Sequence, residues 1–295
     1  MSLIPHLSAR KYLVLFASAP PTRTETSNVS VPVAEANLED EDYDTSNPRR
    51  GYALIFNHVD FANCTKREGS DKDRDTIQNA LEQLGFDVKV FNNLTNKELM
   101  DELEQYSKKD HSLNDCFVVV VMTHGEDGRL YAADKTYPTT DLWEPFVGDG
   151  CKTLIGKPKL FFVQACRGTK FDVGVKRSSP SPSIVTDTVD AFPVSSQRVC
   201  IIPAMADVLV MYSTYDGHYS WRNPVNGSWF IQSLCSELNQ NAHRKELMQL
   251  LTSVSRRVAF YYQSNVPDNE KMDAKKQMPC IVSMLTKALY FPKKS

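Results

Sequence analysis

Apolar positions along this chain fall into runs of two kinds. Gly51-Tyr52-Ala53-Leu54-Ile55-Phe56, Cys116-Phe117-Val118-Val119-Val120-Val121-Met122, Lys159-Leu160-Phe161-Phe162-Val163 and Val208-Leu209-Val210-Met211-Tyr212 are short and nearly unbroken, the pattern of strands covered on both faces. Between them the period lengthens. Asp71 to Leu84 sets Ile77, Ala80, Leu81 and Leu84 on one helical face before Gly85 stops it. Phe86 to Phe91 alternates as a strand, and Thr95-Asn96-Lys97-Glu98 is a capping box opening a helix that buries Leu99, Leu103 and Tyr106. Further on, Ser228 begins a helix with Phe230, Ile231 and Leu234 inward. A longer helix carries Leu247, Leu250, Leu251, Val254 and Val258, and Cys280 to Leu285 reads as a last strand. Strand and helix in alternation predict an α/β fold, a mostly parallel sheet with right-handed crossovers and helices on both faces.

Two of the buried strands end in reactive side chains. The first runs into Thr123-His124-Gly125-Glu126, the other into Gln164-Ala165-Cys166-Arg167-Gly168. Ligands of open parallel sheets bind outside the strands' carboxyl ends, so Cys166 and His124 would share a crevice if the strands lie close. A thiol beside an imidazole is a nucleophile with its proton-transfer partner, and an imidazolium there would lower the thiol pKa and raise the thiolate fraction. Gly125 lets the backbone come close to a ligand, so its amide and that of Cys166 could receive an oxyanion. Taken singly, a buried cysteine is usually a small core hydrophobe and a histidine a satisfied hydrogen-bonder. Their pairing at strand ends, each near glycine, favours catalysis.

Composition narrows the picture. At 295 residues with a net charge of −2, the chain has ample core and no electrostatic reason to seek nucleic acid or an anionic membrane. Seven dispersed cysteines without CxxC pairs read as reduced cytosolic thiols, and no metal or cofactor is implied. Arg10-Lys11 before Tyr12-Leu13-Val14-Leu15-Phe16 and Ala17-Ser18-Ala19 has the shape of a signal sequence, but the apolar run is too short, so a cytoplasmic location is expected. Residues 1 to 47, ending in the acidic run Glu39 to Asp44, read as a disordered leader. Ser178-Ser179-Pro180-Ser181-Pro182-Ser183 through Ser196 reads as an exposed linker within the fold.

From Gly51 onward the chain resembles the effector caspases. The likeness rests on Thr123-His124-Gly125, Gln164 to Gly168, Gly156-Lys157-Pro158-Lys159-Leu160-Phe161, Tyr219-Ser220-Trp221-Arg222-Asn223, Gly227-Ser228-Trp229-Phe230 and Lys275-Lys276-Gln277 before Pro279-Cys280-Ile281. It implies a three-layer sandwich around a mostly parallel six-stranded sheet, and a cysteine endopeptidase that cuts after aspartate to execute apoptosis. Within one caspase domain over 48–295, it implies a large subunit at 48–177, a processing linker at 178–196 and a small subunit at 197–295. Arg67, Gln164 and Arg222 would line the pocket for the substrate aspartate, since a desolvated carboxylate needs the planar, bidentate donors that guanidinium supplies. The backbone of Ser220 and Arg222, with Tyr219, Trp221, Asn223 and Trp229, would hold the preceding residues, Tyr219 and Trp221 facing the same way from an extended segment. The resemblance also implies that a backbone carbonyl near Thr65 orients His124.

The same resemblance implies a zymogen cut by an upstream initiator caspase, and a homodimer of large/small subunit pairs. Asp187-Thr188-Val189-Asp190 offers the expected cut after Asp190, and Asp44 is chosen for leader removal because no aspartate precedes Asp40. Cutting at Asp190 would free Ala191-Phe192-Pro193-Val194, similar to the terminus captured by the BIR domains of inhibitor-of-apoptosis proteins. One departure is Gln263-Ser264-Asn265-Val266-Pro267-Asp268, which lacks the phenylalanines that some effector caspases have there. Two rivals are weaker. A catalytically inactive caspase-like regulatory scaffold would normally lack one of Cys166, His124, Arg67 or Arg222, and all are present. A nucleotide-binding domain needs a glycine-rich turn after the first strand, where Asn57-His58-Val59-Asp60-Phe61 stands.

Overall fold

The computed structural model describes residues 40–174 and 203–294. Six strands form the central sheet: β1 (Tyr52–Asn57), β2 (Asp87–Asn92), β3 (Phe117–Met122), β7 (Lys159–Gln164), β8 (Val208–Tyr212) and β11 (Cys280–Ser283), in the order β11-β8-β7-β3-β1-β2. Every pairing is parallel except β11 on β8. β3 and β7 lie at its centre and are buried along their whole length, which is why their sequences are unbroken apolar runs rather than alternating ones.

Alternate side chains of those strands feed two cores. Ile55, Val118, Val120, Leu160, Phe162, Leu209 and Met211 pack against helices α1 (Ser70–Gln83), α3 (Trp229–Asn241) and α4 (Leu247–Tyr261) on one face. Leu54, Phe56, Val119, Val121, Phe161, Val163 and Val210 meet α2 (Asn96–Ser107) and the 3₁₀ turns between Thr139 and Leu154 on the other. The three layers are those the residue pattern predicts. The capping box also forms: Thr95 Oγ1 accepts the Glu98 N–H at 3.4 Å while Glu98 Oε2 accepts that of Thr95 at 2.9 Å. Ser228 caps α3 by accepting the N–H of Ile231 at 3.2 Å.

Two small sheets were not foreseen. β4 (Gly125–Glu126), β5 (Arg129–Tyr131) and β6 (Thr136–Pro138) form an antiparallel meander directly after His124. β9 (Arg222–Asn223) and β10 (Gly227–Ser228) form a hairpin that pairs Arg222 with Ser228. Their strands are too short for any period to register.

The expected leader also needs correction at its end. Within residues 40–47 the backbone is tied to the domain at Glu41 and Tyr43, although most side chains there are exposed. Tyr43 is buried, its N–H donates to Ala288 O at 2.9 Å, and its hydroxyl donates to Asp207 Oδ1 at 2.7 Å. One aromatic side chain with a buried acceptor outweighs the acidic composition around it.

Candidate active site

The register of the sheet brings the two reactive side chains together. Met122 pairs with Gln164 across β3 and β7, so His124 and Cys166, each two residues beyond, leave adjacent strands at one level. The Thr123 N–H donates to Gln164 O at 3.0 Å and continues the ladder to the site's edge. A Cβ on Gly125 would overlap the carbonyl oxygen of Cys166. Only glycine permits that approach. Behind the thiol, the Ser213 hydroxyl donates to Ala165 O at 3.0 Å and accepts from Ala165 N at 3.3 Å, which pins the turn. The next residue is pinned as well, since Arg167 pairs with Asp216 and stacks on Tyr212.

His124 is half-buried, and its Nε2 lies 2.8 Å from Thr65 O. Among the described residues no carboxylate orients it; the main-chain carbonyl fixes the ring in the manner the resemblance implies. Burial is the leading cause that holds the imidazole below its ordinary value, with the charges of Arg67 and Arg222 adding to it. Cys166 moves the other way: burial raises the thiol, against a hydrogen bond from Ser220 and the same two arginines. Its Sγ accepts the Ser220 N–H at 3.5 Å. Burial thus opposes both the thiolate and the imidazolium, while the Ser220 hydrogen bond and the two arginines favour the thiolate. Desolvation disfavours the charged form of each group.

Arg67 and Arg222 belong to the same neighbourhood, since both act on the thiol and the imidazole. Arg67 is 1 % exposed. Its Nη1 donates to His58 O at 2.9 Å and Ser70 Oγ at 2.7 Å, while Nε and Nη2 have no hydrogen-bond partner among the described residues. Burial pushes its guanidinium down to about 9, and the positive charge of Arg222 contributes. Arg222 is anchored through Nε to Glu68 O at 2.8 Å. Gln164 donates through Nε2 to Ser220 Oγ at 2.9 Å, and its Oε1 is buried without a partner. A half-turn of the carboxamide exchanges the two ends, so it can present either a donor or an acceptor.

The extended segment beyond β8 builds the wall. Phe171 stacks on Tyr219 at 4.5 Å between centroids and lies 5.9 Å from Trp221, so both rings lie on one side of the chain. Trp221 stacks on Trp229, and Trp229 on Tyr262. The N–H of Trp221 points away to Gln277 Oε1 at 2.6 Å, and Gln277 Nε2 donates to Ser213 O at 2.7 Å. Alternation then turns the backbone of Ser220 and Arg222 the other way. Asn223 uses its side-chain oxygen to close its own turn, accepting from Val225 and Asn226 at 2.9 Å each.

Phe171, Tyr262 and Gln277, which brace the wall, were missed. Gln277 carried the one available signal, a polar residue within a stretch matched to the family. Asp44 is exposed, and its carboxyl is held below the usual range by Ser46, which donates through both N and Oγ. Asp190 and Ala191-Phe192-Pro193-Val194 lie outside the described residues.

A thiol and an imidazole at one level of a parallel sheet, beside a wall able to hold an extended peptide, describe a cysteine hydrolase. Comparison with known proteins makes this specific. The family model of the caspase domain matches residues 50–290. The chain is 44 % identical over 254 residues to caspase-1 of Spodoptera frugiperda, covering 85 % of this chain and 82 % of that one. It is 43 % identical over 252 residues to caspase-7 of Gallus gallus, covering 84 % and 79 %. The crystal structure of the Spodoptera protein superposes with a TM-score of 0.79 at 42 % identity, covering 87 % of this chain and 95 % of that one. The chain belongs to the caspase family and is a cysteine-type endopeptidase.

Proposed function

We propose that this endopeptidase cuts protein chains after aspartate, and that Cys166, His124, Arg67, Gln164 and Arg222 carry the reaction. The observation that supports this most strongly is the buried Arg67, whose Nε and Nη2 have no partner among the described residues. A buried guanidinium with two idle nitrogens is costly unless a ligand completes it. A planar carboxylate on a short stem matches that fork and the charge of Arg222 beside it.

The peptide adds as a strand along residues 219–223, with the aromatic rings of Tyr219, Trp221 and Trp229 against its side chains. Its aspartate enters between Arg67 and Arg222. The neutral His124 takes the thiol proton as Cys166 Sγ attacks the carbonyl, so charge forms only when the substrate is in place. The amides of Gly125 and Cys166 receive the oxyanion. His124 then protonates the leaving amine, and water, activated by the same imidazole, hydrolyses the thioester and restores the thiol.

On this reading the protein is an apoptotic executioner of the cytoplasm, working as a homodimer of large/small pairs. It is made as a zymogen that an upstream initiator caspase opens after Asp190, which exposes Ala191 to a BIR domain. Leader removal after Asp44 would also release the docked Tyr43. The test is mass spectrometry of the new N-termini that the purified enzyme generates in a protein mixture. Every new terminus should follow an aspartate, and Cys166→Ala should generate none while folding normally. Termini following uncharged residues, or continued cleavage by Cys166→Ala, would refute the assignment.

A further inference from the structure

Asp73 is a buried acidic residue that the reaction above leaves unused. It lies in the opening turns of α1 and is 1 % exposed. Both carboxylate oxygens accept the N–H of Ser228, at 2.8 and 3.0 Å. The fit is close: Gly227 has φ +92°, and a Cβ there would overlap Asp73 Oδ1. Burial pushes the carboxyl up to about 6, against the Ser228 hydrogen bonds and the two arginines. A carboxylate kept buried at such cost calls for a function.

Its neighbours indicate which function. Ser228 is the antiparallel partner of Arg222 in the β9–β10 hairpin. One turn earlier on α1, Ser70 accepts from Arg67 Nη1 at 2.7 Å, and the Ser70 N–H donates to Arg67 O at 3.3 Å. The start of one helix thus holds Arg67 through Ser70 and the strand of Arg222 through Asp73. The loop before the helix fits the same hairpin, with Glu68 O accepting from Arg222 and Gly69 pressed against Pro224. The two arginines come from opposite sides of the 178–196 linker, so something must set their relative height.

We propose that Asp73 is a positioning residue for the aspartate pocket, acting through the Ser228 N–H to hold Arg222 at the level of Arg67. This rests on reading those arginines as the pocket. A role in fastening α3 to α1 alone would need the same hydrogen bonds, but would not touch substrate affinity.

The experiment compares the full-length wild-type enzyme with Asp73→Asn and Asp73→Ala, each processed in the same way. Active sites are titrated with a thiol-alkylating peptide ending in aspartate. KM and kcat per titrated site are then measured on two peptides with aspartate or asparagine at the cleaved bond. Asp73→Ala loses both acceptors, and its KM for the aspartate peptide should rise by at least about tenfold with kcat within about threefold, the signature of lost uniform binding. Asp73→Asn keeps one acceptor and should fall between, at about threefold to tenfold. If Asp73→Ala does not fold, Asp73→Asn decides alone. Wild-type KM in the variants, with only fewer active sites or a lower thermal midpoint, overturns the inference in favour of a structural role. Equal KM changes in the two variants overturn the claim that the Ser228 hydrogen bond carries the effect. A wild-type enzyme that cuts both peptides equally overturns the pocket reading itself and this inference with it.

Discussion

Arg50 and Arg67 are each 1 % exposed, yet the chain treats them in opposite ways. Each nitrogen of Arg50 is engaged: Nε donates to Leu84 O at 3.2 Å, Nη1 to Asp115 Oδ2 at 2.8 Å, and Nη2 to Pro292 O. Its charge is matched by Asp115, which also accepts Lys294 at 2.6 Å. Phe291 lies against the guanidinium plane. Among the described residues Arg67 has oxygen partners for Nη1 only and no ion pair, and Arg222 adds a second positive charge nearby. Burial alone therefore does not separate an arginine that the fold completes from one that it leaves incomplete. The separating quantity is how many of its donors the fold itself satisfies: Arg50 ties the end of the chain to the helix face, and Arg67 is left incomplete where a ligand would complete it.

Replacing each arginine with methionine, similar in length, breaks the comparison in two different observables. Arg67→Met should lower kcat/KM for aspartyl peptides by about 10⁴, the scale at which sites built around a polar group discriminate. Its stability should stay within about 1 kcal/mol of wild type or rise, because a poorly paired buried charge has been removed. Arg50→Met should do the reverse. It leaves Asp115 buried with Lys294 as its remaining partner and should cost about 3 kcal/mol of unfolding free energy, while kcat/KM per titrated active site stays at the wild-type value. Denaturant unfolding and peptide kinetics on the same preparations check both. An Arg50→Met enzyme with an intact fold but defective kinetics, or an Arg67→Met enzyme that simply unfolds, would erase the distinction.

The contrast also marks what the sequence could and could not say. The central strands were legible because β3 and β7 are buried on both faces, so sequence and burial carry the same pattern. The amphipathic helices were legible because α1, α2 and α4 each bury one stripe. Cys166 and His124 could be paired because strand ends in a parallel sheet converge. The proposed pocket of Arg67 and Arg222 was not legible that way and was read only through resemblance. An arginine in a loop carries no periodic signal, and its burial depends on contacts between segments more than 150 residues apart, as Arg222 with Glu68 shows. Asp73 was hidden for the opposite reason. It sits among Asp71, Lys72, Arg74 and Asp75 on a strongly polar helix start, where composition suggests a solvated face, and only the hairpin packed over it removes it from water. Tyr43 was hidden in the same way by the acidic run before it.

The smallest expected difference between the two arginines is electrostatic, and it tests whether Arg67 belongs to the site in the absence of substrate. The thiolate is the form of Cys166 that alkylates, so the labelling rate by iodoacetamide rises with pH through the thiol's pKa. Burial raises that value, while the positive charges of Arg67 and Arg222 lower it. Removing Arg67 takes away one of the two opposing charges, so in Arg67→Met the midpoint of labelling at Cys166 should move to higher pH than in wild type. Arg50 acts instead on Cys116, which is fully buried with its thiol pushed up to about 12, so Arg50→Met should leave the Cys166 midpoint unmoved. Labelling must be resolved by peptide mass spectrometry, because Cys64 and Cys280 are partly exposed as well. Comparing midpoints rather than absolute rates removes any change in access caused by the smaller side chain. A Cys166 midpoint that is the same in Arg67→Met and wild type would mean that solvent screens Arg67 from the nucleophile, leaving it no part in a shared catalytic neighbourhood.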